Sequence, residues 1–326
     1  MEKIRLDLFK LIDENDKGQG VIKALNTQKL KKKLKILIED IKEEKKQKIK
    51  DVAELLNLSY LDFYNKLFRR NCSLPLLKEL IKLWGKVTRK SSREIREKKI
   101  EIQEEIKILT YGAGNTYKSV KVVHFLSENL CKIVGALIAD GHLTKLIKPS
   151  GSPSYVITID DKYEDNLSRF CSWIREEFGV RLKPKYCSKN NYWRIDFGNK
   201  IIYRYLEKLF EVPVGKKYEK LKVPPIIKKS SLNFKVSFLN SLFLFDGGIG
   251  KSVYFNFSTK SLTLLKDIEK LLKEIGINPD LVKEILDSSN VFEVRIWKRK
   301  KLKKFIEIFQ SNENAQKWKY LNSLIH

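Results

Sequence analysis

The chain has 326 residues, enough for two or three domains, and an apolar content of 42%, enough for real cores. Lys and Arg number 66 against 40 Asp and Glu, a net charge of +26. A thermophile-like ion-pair surface would raise both signs together, so the one-sided excess points to a polyanion, with nucleic acid the default partner. No apolar run reaches transmembrane length and the N-terminus is charged from Glu2 onward, which excludes a membrane span and a signal peptide. Cys72, Cys131, Cys171 and Cys187 lack CxxC spacing and the three histidines are scattered. Zinc is therefore not expected, and the thiols fit a reduced, intracellular, prokaryote-like cytoplasmic protein.

Residues 1–50 read as lysine-rich helix, and a solvated helix face is the plainer account of its charge than a dedicated nucleic-acid arm. From 48 to 84 the pattern is more specific. A short amphipathic helix, 51–58, ends at the turn Asn57–Ser59. Ser59 is placed to cap a second helix, 60–69, with Leu61, Tyr64 and Leu67 at helical spacing, and Ser73-Leu-Pro75 opens a third helix to Trp84. Helix, short turn, helix, helix resembles a helix-turn-helix of the phage-repressor type. That resemblance puts Tyr60, Asp62, Phe63, Asn65, Lys66 and Arg70 on the exposed side of a recognition helix, with Arg69 and Arg70 on phosphates. A plain three-helix packing module is the alternative.

Residues 111–123 read as a turn-rich linker around Gly112 and Gly114, without the GKS/T of a phosphate loop. Beyond it the pattern changes. Ser127 caps an apolar helix, and Ser154–Asp160, Val180–Tyr186 and Tyr192–Phe197 alternate as strands do. Between them lie helices near 164–178 and 201–210. On the strands, Thr158, Arg181, Lys183, Lys185, Arg194 and Asp196 fall on the polar face. The same order then repeats. Val253, Phe255 and Phe257 alternate with Tyr254, Asn256 and Ser258; a helix covers 262–275; Phe292, Val294 and Ile296 alternate with Glu293, Arg295 and Trp297; a last helix starts near Lys301.

Each of these halves opens on the same motif. The first is Ile133-Val-Gly-Ala-Leu-Ile-Ala-Asp-Gly141 and the second Leu239-Asn-Ser-Leu-Phe-Leu-Phe-Asp-Gly247, their acids 106 residues apart. An acid at a helix C-terminus opposes the macrodipole, and a carboxylate ending an apolar helix is costly unless it meets a cation. The pattern resembles the LAGLIDADG family of homing endonucleases in its two-motif, single-chain form, which includes intein-embedded members. The second copy departs from it in Ser241 for glycine and in Phe245 where a small residue is usual.

The resemblance implies an α+β fold of tandem pseudo-two-fold repeats whose sheets form a DNA-binding saddle, preceded by the helical module. The domains expected are 1–110, a linker at 111–123, a first repeat at 124–230 and a second at 231–326. The motif helices would pack along their small faces at Gly135 and Ser241, and Gly141 and Gly247 would end them in a left-handed conformation. Asp140 and Asp246 would hold Mg²⁺, with Mn²⁺ as a substitute, helped by the main-chain carbonyls of Ala139 and Phe245. Lys217 and Lys317 best fit the family's catalytic lysines, with Lys216, Lys222 and Lys319 as neighbours. Thr158, Arg181, Lys183, Lys185, Arg194, Tyr254, Asn256, Ser258 and Arg295 would contact DNA in the major groove.

The function expected is site-specific, Mg²⁺-dependent cleavage of double-stranded DNA by a monomer. Two alternatives use the same scaffold: a catalytically silent DNA-binding regulator, and an intron maturase, whose partner would be structured RNA. Met1 at the start and Leu324–His326 at the end lack the residues of protein splicing, so self-splicing is not expected.

Overall fold

The computed structural model describes residues 3–16, 21–112, 118–147, 149, 151, 153–250, 252–285, 291–310 and 315–325. The chain divides into two units, one of Leu6–His124 and one of Met1–Arg5 with Phe125–His326. Residues before Leu6 thus join the second unit: Arg5 bridges Phe125 in the antiparallel sense, and Leu126 N–H donates to the Ile4 carbonyl at 2.8 Å. Among the described residues no helix is long and apolar enough to cross a membrane.

The first unit is mixed rather than all-helical. In chain order it holds β1 (Lys23–Ala24), α1 (Gln28–Lys45), α2 (Ile49–Leu55), α3 (Tyr60–Tyr64), β2 (Cys72–Ser73), α4 (Leu74–Val87), α5 (Ser92–Glu104), β3 (Ile108–Tyr111) and β4 (Lys118–Lys121). The four strands pair in the order β2-β1-β3-β4. The helix expected from residue 1 begins only at Gln28, where Thr27 accepts from the Leu30 N–H. Its buried stripe is Leu30, Leu34, Leu37, Ile38 and Ile41, the spacing of a one-sided helix. The stretch expected as a linker instead includes β4, hydrogen-bonded to β3 from Ile108↔Lys121 to Tyr111↔Lys118; residues 113–117 lie outside the described residues.

The second unit begins with α6 (Glu128–Ala139), β5 (Gly141–Ile147), β6 (Pro153–Asp161), α7 (Glu164–Phe178), β7 (Lys185–Cys187), β8 (Tyr192–Gly198), α8 (Lys200–Arg204) and α9 (Pro225–Lys228). The order then recurs as α10 (Leu232–Asp246), β9 (Gly247–Gly250), β10 (Tyr254–Thr259), α11 (Leu262–Glu274), β11 (Leu281–Ile285), β12 (Val291–Ile296), α12 (Arg299–Gln310) and α13 (Gln316–Ser323). Each half carries one antiparallel sheet, β5-β6-β8-β7 and β11-β12-β10-β9.

Helix α10 is buried on every side from Ser237 to Phe245, the mark of a helix enclosed by protein. It lies against α6, and the pair is the spine of the unit. Phe243 anchors an aromatic core of Phe255, Phe257, Phe305 and Phe309, with ring centroids 4.9 to 5.8 Å away.

Two expected strand readings change. Of the alternating 180–186 stretch only Lys185 and Tyr186 pair with β8, followed by Cys187. Residue 184 would come next in the ladder, and Pro184 has no N–H to donate. Val253 does not join the β10 core face but turns the chain with φ 54°.

Candidate functional site

The site starts from how closely α6 and α10 approach. A Cβ at Gly135 would lie 2.5 Å from the Phe238 carbonyl oxygen and 3.0 Å from the Leu242 nitrogen. Glycine is therefore the residue that admits backbone-to-backbone contact there. The facing Ser241 is not a steric defect: its hydroxyl donates to the Lys132 carbonyl across the helix pair at 2.6 Å.

The helices end without the left-handed glycines expected. Asp140 closes α6 near φ −109°, and Gly247 is extended at φ −76°, ψ 140°. The glycines are needed for space. A Cβ on Gly141 would meet Leu137 Cδ2 at 2.4 Å, and one on Gly247 would meet the Phe243 oxygen at 2.4 Å and the Phe255 ring at 2.6 Å.

Each helix end is then capped by a lysine from its own half. Lys217 Nζ donates to the carbonyls of Leu137, Ile138 and Ala139 at 3.0, 2.9 and 2.8 Å. Lys317 Nζ donates to the carbonyls of Phe243 at 3.1 Å, Leu244, and Gly247 at 2.8 Å. A cation at the carbonyl end of a helix answers both the orphan acceptors and the dipole. Lys217 thus occupies one lone pair of the Ala139 carbonyl, whereas Lys317 passes over Phe245. The neighbours Lys216 and Lys319 are exposed, and Lys222 pairs with Glu211 at 2.7 Å.

Asp140 and Asp246 line one cleft of about 290 Å³ together with Lys217, Ser258, Thr259 and Lys260. Both acids open on the cleft, and among the described residues neither carboxylate accepts a hydrogen bond. Both residues are exposed at the cleft, yet protein stands close around the carboxyl groups, and that partial desolvation, with repulsion from Asp246 and then Asp161, pushes Asp140 up to about 7. Desolvation likewise raises Asp246 to about 6, against the pull of Lys217 and Lys317. The same burial drives both lysines down to about 8, opposed by the carboxylates.

A third acid enters that sequence reasoning missed. Asp161 ends β6 and is only 8% exposed; its oxygens accept from the Tyr163 N–H at 2.6 Å and Asn166 Nδ2 at 2.9 Å. It lines a larger cleft, about 730 Å³, with Asp140, Lys317, Asn166, Arg169 and Tyr320. Thr259 ends β10 in the same way, its hydroxyl accepting from the Ser261 N–H at 3.1 Å, so the second half has a neutral side chain where the first has a carboxylate. Among the described residues no group of three or more His, Cys, Asp or Glu side chains is spaced to hold a metal.

The sheet faces carry the remaining expected residues. In the first half, Thr158 pairs with His142 and Asp196, but at 4% exposure it is floor rather than the open contact expected of it. His142, Thr144 and Leu146 share its face. Arg194 reaches across to Asp160 with Nε–Oδ1 and Nη2–Oδ2 at 2.7 and 2.8 Å. Lys185 sits opposite Arg194, whereas Arg181 and Lys183 are exposed beyond the ladder. In the second half, Tyr254, Asn256 and Ser258 share a face with Arg295, but Glu293, expected to be open, is 1% exposed.

In the first unit, Ser59 caps α3 by accepting from the Asp62 N–H, and α3 continues as a wider turn over Asn65–Arg69. Its buried residues are Phe63, Leu67 and Phe68, while Leu61 and Tyr64 are exposed. Phe63 therefore belongs to the core, not to a recognition face, and Leu61 takes the open side. Arg69 and Arg70 are exposed, Arg69 lying 5.7 Å from the Tyr64 ring centre.

Comparison with known proteins gives three kinds of likeness. Residues 233–310 match the family model described as a LAGLIDADG-like domain. Solved structures of the homing endonuclease I-DmoI are similar: its complex with DNA and Ca is 18% identical, covering 60% of this chain and 97% of that one with a TM-score of 0.47. The N-terminal LAGLIDADG domain of DUF199/WhiA is 16% identical, covering 56% and 82%, with a TM-score of 0.37. The DNA polymerase of Thermococcus kodakarensis is 25% identical over 178 residues, and that of Thermococcus sp. strain GE8 is 25% identical over 241 residues, or 54% and 71% of this chain. The chain spans only 10% and 13% of the length of those two relatives.

Proposed function

We propose that this chain, which belongs to the LAGLIDADG family, is a site-specific double-strand DNA endonuclease that uses a divalent metal. The observation that carries the reading is the meeting of Asp140 and Asp246 at the ends of two touching helices, each end held by a lysine of its own half. I-DmoI, a homing endonuclease whose structures include complexes with DNA and Mn or Ca, supports the same substrate and metal class.

The acid pair fits a hard cation. Two carboxylates on one cleft without a hydrogen-bond donor repel each other, and a divalent ion with oxygen preference relieves that repulsion. Asp140 and Asp246 would hold it, with the second lone pair of the Ala139 carbonyl and the Phe245 carbonyl in reach of the same helix ends. Asp140 and Asp246 alone would leave much of a hard cation's oxygen requirement to water and to the DNA phosphates. When bound, the metal supplies Lewis-acid polarisation of the phosphate and a more acidic water.

The chain's own residues do the rest. The β-sheet faces bring paired strands to the major groove, where Arg194, Lys185, Arg295 and Asn256 stand outward. Lys217 and Lys317 hold positive charge beside the acids, at the position where charge builds on the phosphate. Their capping bonds fix that charge in place before substrate arrives. The exposed Arg69 and Arg70 of the first unit add phosphate contacts if α3 serves as a recognition element.

One chain supplies both acids and both lysines, so the expected species is a monomer, seen as a single-chain mass by light scattering. The reading is tested by incubating the protein with a randomised duplex library in Mg²⁺ and sequencing the new ends. Cutting at one recurrent sequence is expected. Tight binding with no cutting in Mg²⁺ or Mn²⁺ would reduce the chain to a DNA-binding protein.

A further inference from the structure

We propose that Glu293 is a positioning residue that fixes Arg295 and Asn256 as one unit for reading a guanine and a neighbouring adenine. The inference rests on the DNA-binding reading above and gives the second half's sheet a specific part in it.

Glu293 is on the groove-facing side of β12, since Ser258↔Glu293 and Asn256↔Arg295 are cross-strand pairs and the core face is Phe292, Val294 and Ile296. Yet its side chain is 2% exposed. A carboxylate buried beneath a face meant for phosphates is doubly unfavourable unless it is satisfied there. Two groups meet its Oε1, one as an ion pair and one as a hydrogen-bond donor, while Oε2 has no partner among the described residues. Arg295 Nε lies 2.8 Å from Oε1, and Asn256 Nδ2 donates to the same oxygen at 3.0 Å.

These contacts decide which edges remain free. With Nε turned down to Glu293, the two Nη nitrogens of Arg295 have no protein partner among the described residues. They form the edge that pairs with guanine O6 and N7. Asn256 spends one amide proton on Glu293 and keeps Oδ1 and the other proton, the pair that matches adenine N6 and N7. The guanidinium is also stacked, 5.0 Å from the centre of the Tyr254 ring.

Bare backbone on β9 makes room for this arrangement. A Cβ at Gly248 would come within 2.4 Å of Asn256 Oδ1, and one at Gly250 within 2.1 Å of the Tyr254 ring. Both side chains therefore lie down across glycines. In the first half, 106 residues earlier, the same positions are His142 and Thr144. By strand register the first half has Arg194 where Glu293 lies and Asp196 where Arg295 lies, and Arg194 pairs instead across the strands with Asp160, both partly open at 38% and 34%. Arg295 is 36% exposed over an acid that is 2% exposed, so water reaches the guanidinium but hardly the carboxylate beneath it.

The test is selection from randomised duplexes without divalent metal, so that binding is read without cutting. Wild type should enrich one guanine and a neighbouring adenine in the half-site under the second repeat. Arg295→Lys keeps the charge but loses the planar fork, and should lose the guanine preference by roughly tenfold or more while the adenine stays. Glu293→Leu should lose both preferences together, with the first repeat's half-site and the salt slope unchanged. Glu293→Gln still offers an acceptor oxygen and should keep most of both. Gly250→Ala, which leaves Glu293 in place, should displace Tyr254 and weaken the guanine preference alone.

If Glu293→Leu does not fold, by melting, the Arg295→Lys and Gly250→Ala arms decide. A site enriched by wild type and left unchanged by Arg295→Lys, or a folded Glu293→Leu that keeps both preferences, overturns this inference and leaves the endonuclease reading standing. A wild type that enriches no sequence at all brings down the site-specific reading itself.

Discussion

The two halves of the second unit agree where phosphodiester chemistry is symmetric and differ wherever a base would be read. Both end a buried helix in an aspartate, Asp140 and Asp246, and both cap that helix with a lysine, Lys217 and Lys317. Beside the acids they part. Asp161 matches Thr259, His142 and Thr144 stand where Gly248 and Gly250 lie, and Arg194, paired across the strands with Asp160, takes the place of the buried Glu293. On the endonuclease reading, a dyad of acids would suffice to cut two strands of like chemistry. A non-palindromic site needs two unlike faces, and one chain can diverge between its halves as two identical subunits cannot.

The largest way to break the symmetric part is at the acids. Asp140→Asn and Asp246→Asn should each abolish double-strand cleavage, by on the order of a thousandfold or more, since several kcal/mol of charge stabilisation go with the metal. Binding of the site in Ca²⁺ should survive, because neither carboxylate is a sheet-face residue. Gel-shift and cleavage assays on one duplex separate the two effects. A variant that loses binding and cutting in equal measure would show the aspartates to be structural.

Lys217→Met and Lys317→Met come next. Each should slow the chemical step by roughly a hundredfold, the scale of one lost charge-stabilising donor, with little change in affinity. Each variant also uncovers three carbonyls at a helix end, so melting should fall, which sets this pair apart from the acids. Single-turnover rates at saturating enzyme read the first effect and thermal melting the second.

How far the site was legible follows from which physical signals are local. Asp140 stands out because an acid after the seven apolar or small residues Ile133–Ala139 has no local excuse, and Asp246 because it repeats the pattern. Lys217 and Lys317 needed the family resemblance, since nothing local separates them from dozens of other lysines. Asp161 was not legible: Ile159-Asp160-Asp161 reads as an ordinary strand end, and only the packed structure shows that one of those two acids is buried with Asn166 and Tyr163 as donors. The spacing of Leu61, Tyr64 and Leu67 predicts a helix but not its orientation, and of the three only Leu67 turns inward, beside Phe63 and Phe68. Period-two alternation from Val180 promised a strand, yet a strand needs a partner, and Pro184 stops the ladder at Lys185. The glycines after the acids were recognised as special for the wrong reason: lack of room at Leu137 and Phe243, not positive φ, excludes a side chain.

Asp161 sharpens the comparison from its asymmetric side. Removing its charge should act on the cleft that Asp161 shares with Lys317 and Asp140, where it is the foremost carboxylate opposing the loss of charge on Lys317 and adds to the repulsion on Asp140. Asp161→Asn keeps the contact with the Tyr163 N–H through its oxygen and should slow one strand more than the other, by roughly tenfold as a supporting contact. The readout is nicked plasmid accumulating before linear product. Thr259→Val, at the matching place in the other half, should leave the strand ratio as it is. Equal slowing of both strands by Asp161→Asn would argue that this acid serves the fold and not one side of the site.

The smallest effect expected is on stability, and its sign follows from the acids. Asp140 and Asp246, at about 7 and about 6 in the folded protein, lie above the ordinary aspartate range near 4. Between about pH 4 and pH 7 the folded state therefore binds more protons than the unfolded one, and its stability falls as pH rises through that window. Lys217 and Lys317 are lowered to about 8, so their contribution changes only between about pH 8 and 10.5 and does not overlap. With a chelator present, wild type should thus lose melting temperature relative to the Asp140→Asn, Asp246→Asn double variant as pH goes from 4 to 7. Adding Mg²⁺ at pH 7 should restore it in wild type and not in the variant, because the ion binds the ionised pair and only the folded state assembles that pair. The difference between the two proteins is the quantity to plot, since other carboxylates cancel in it. A difference that stays flat from pH 4 to 7, with and without Mg²⁺, would mean that the two carboxylates do not meet closely enough to feel each other or a shared ion.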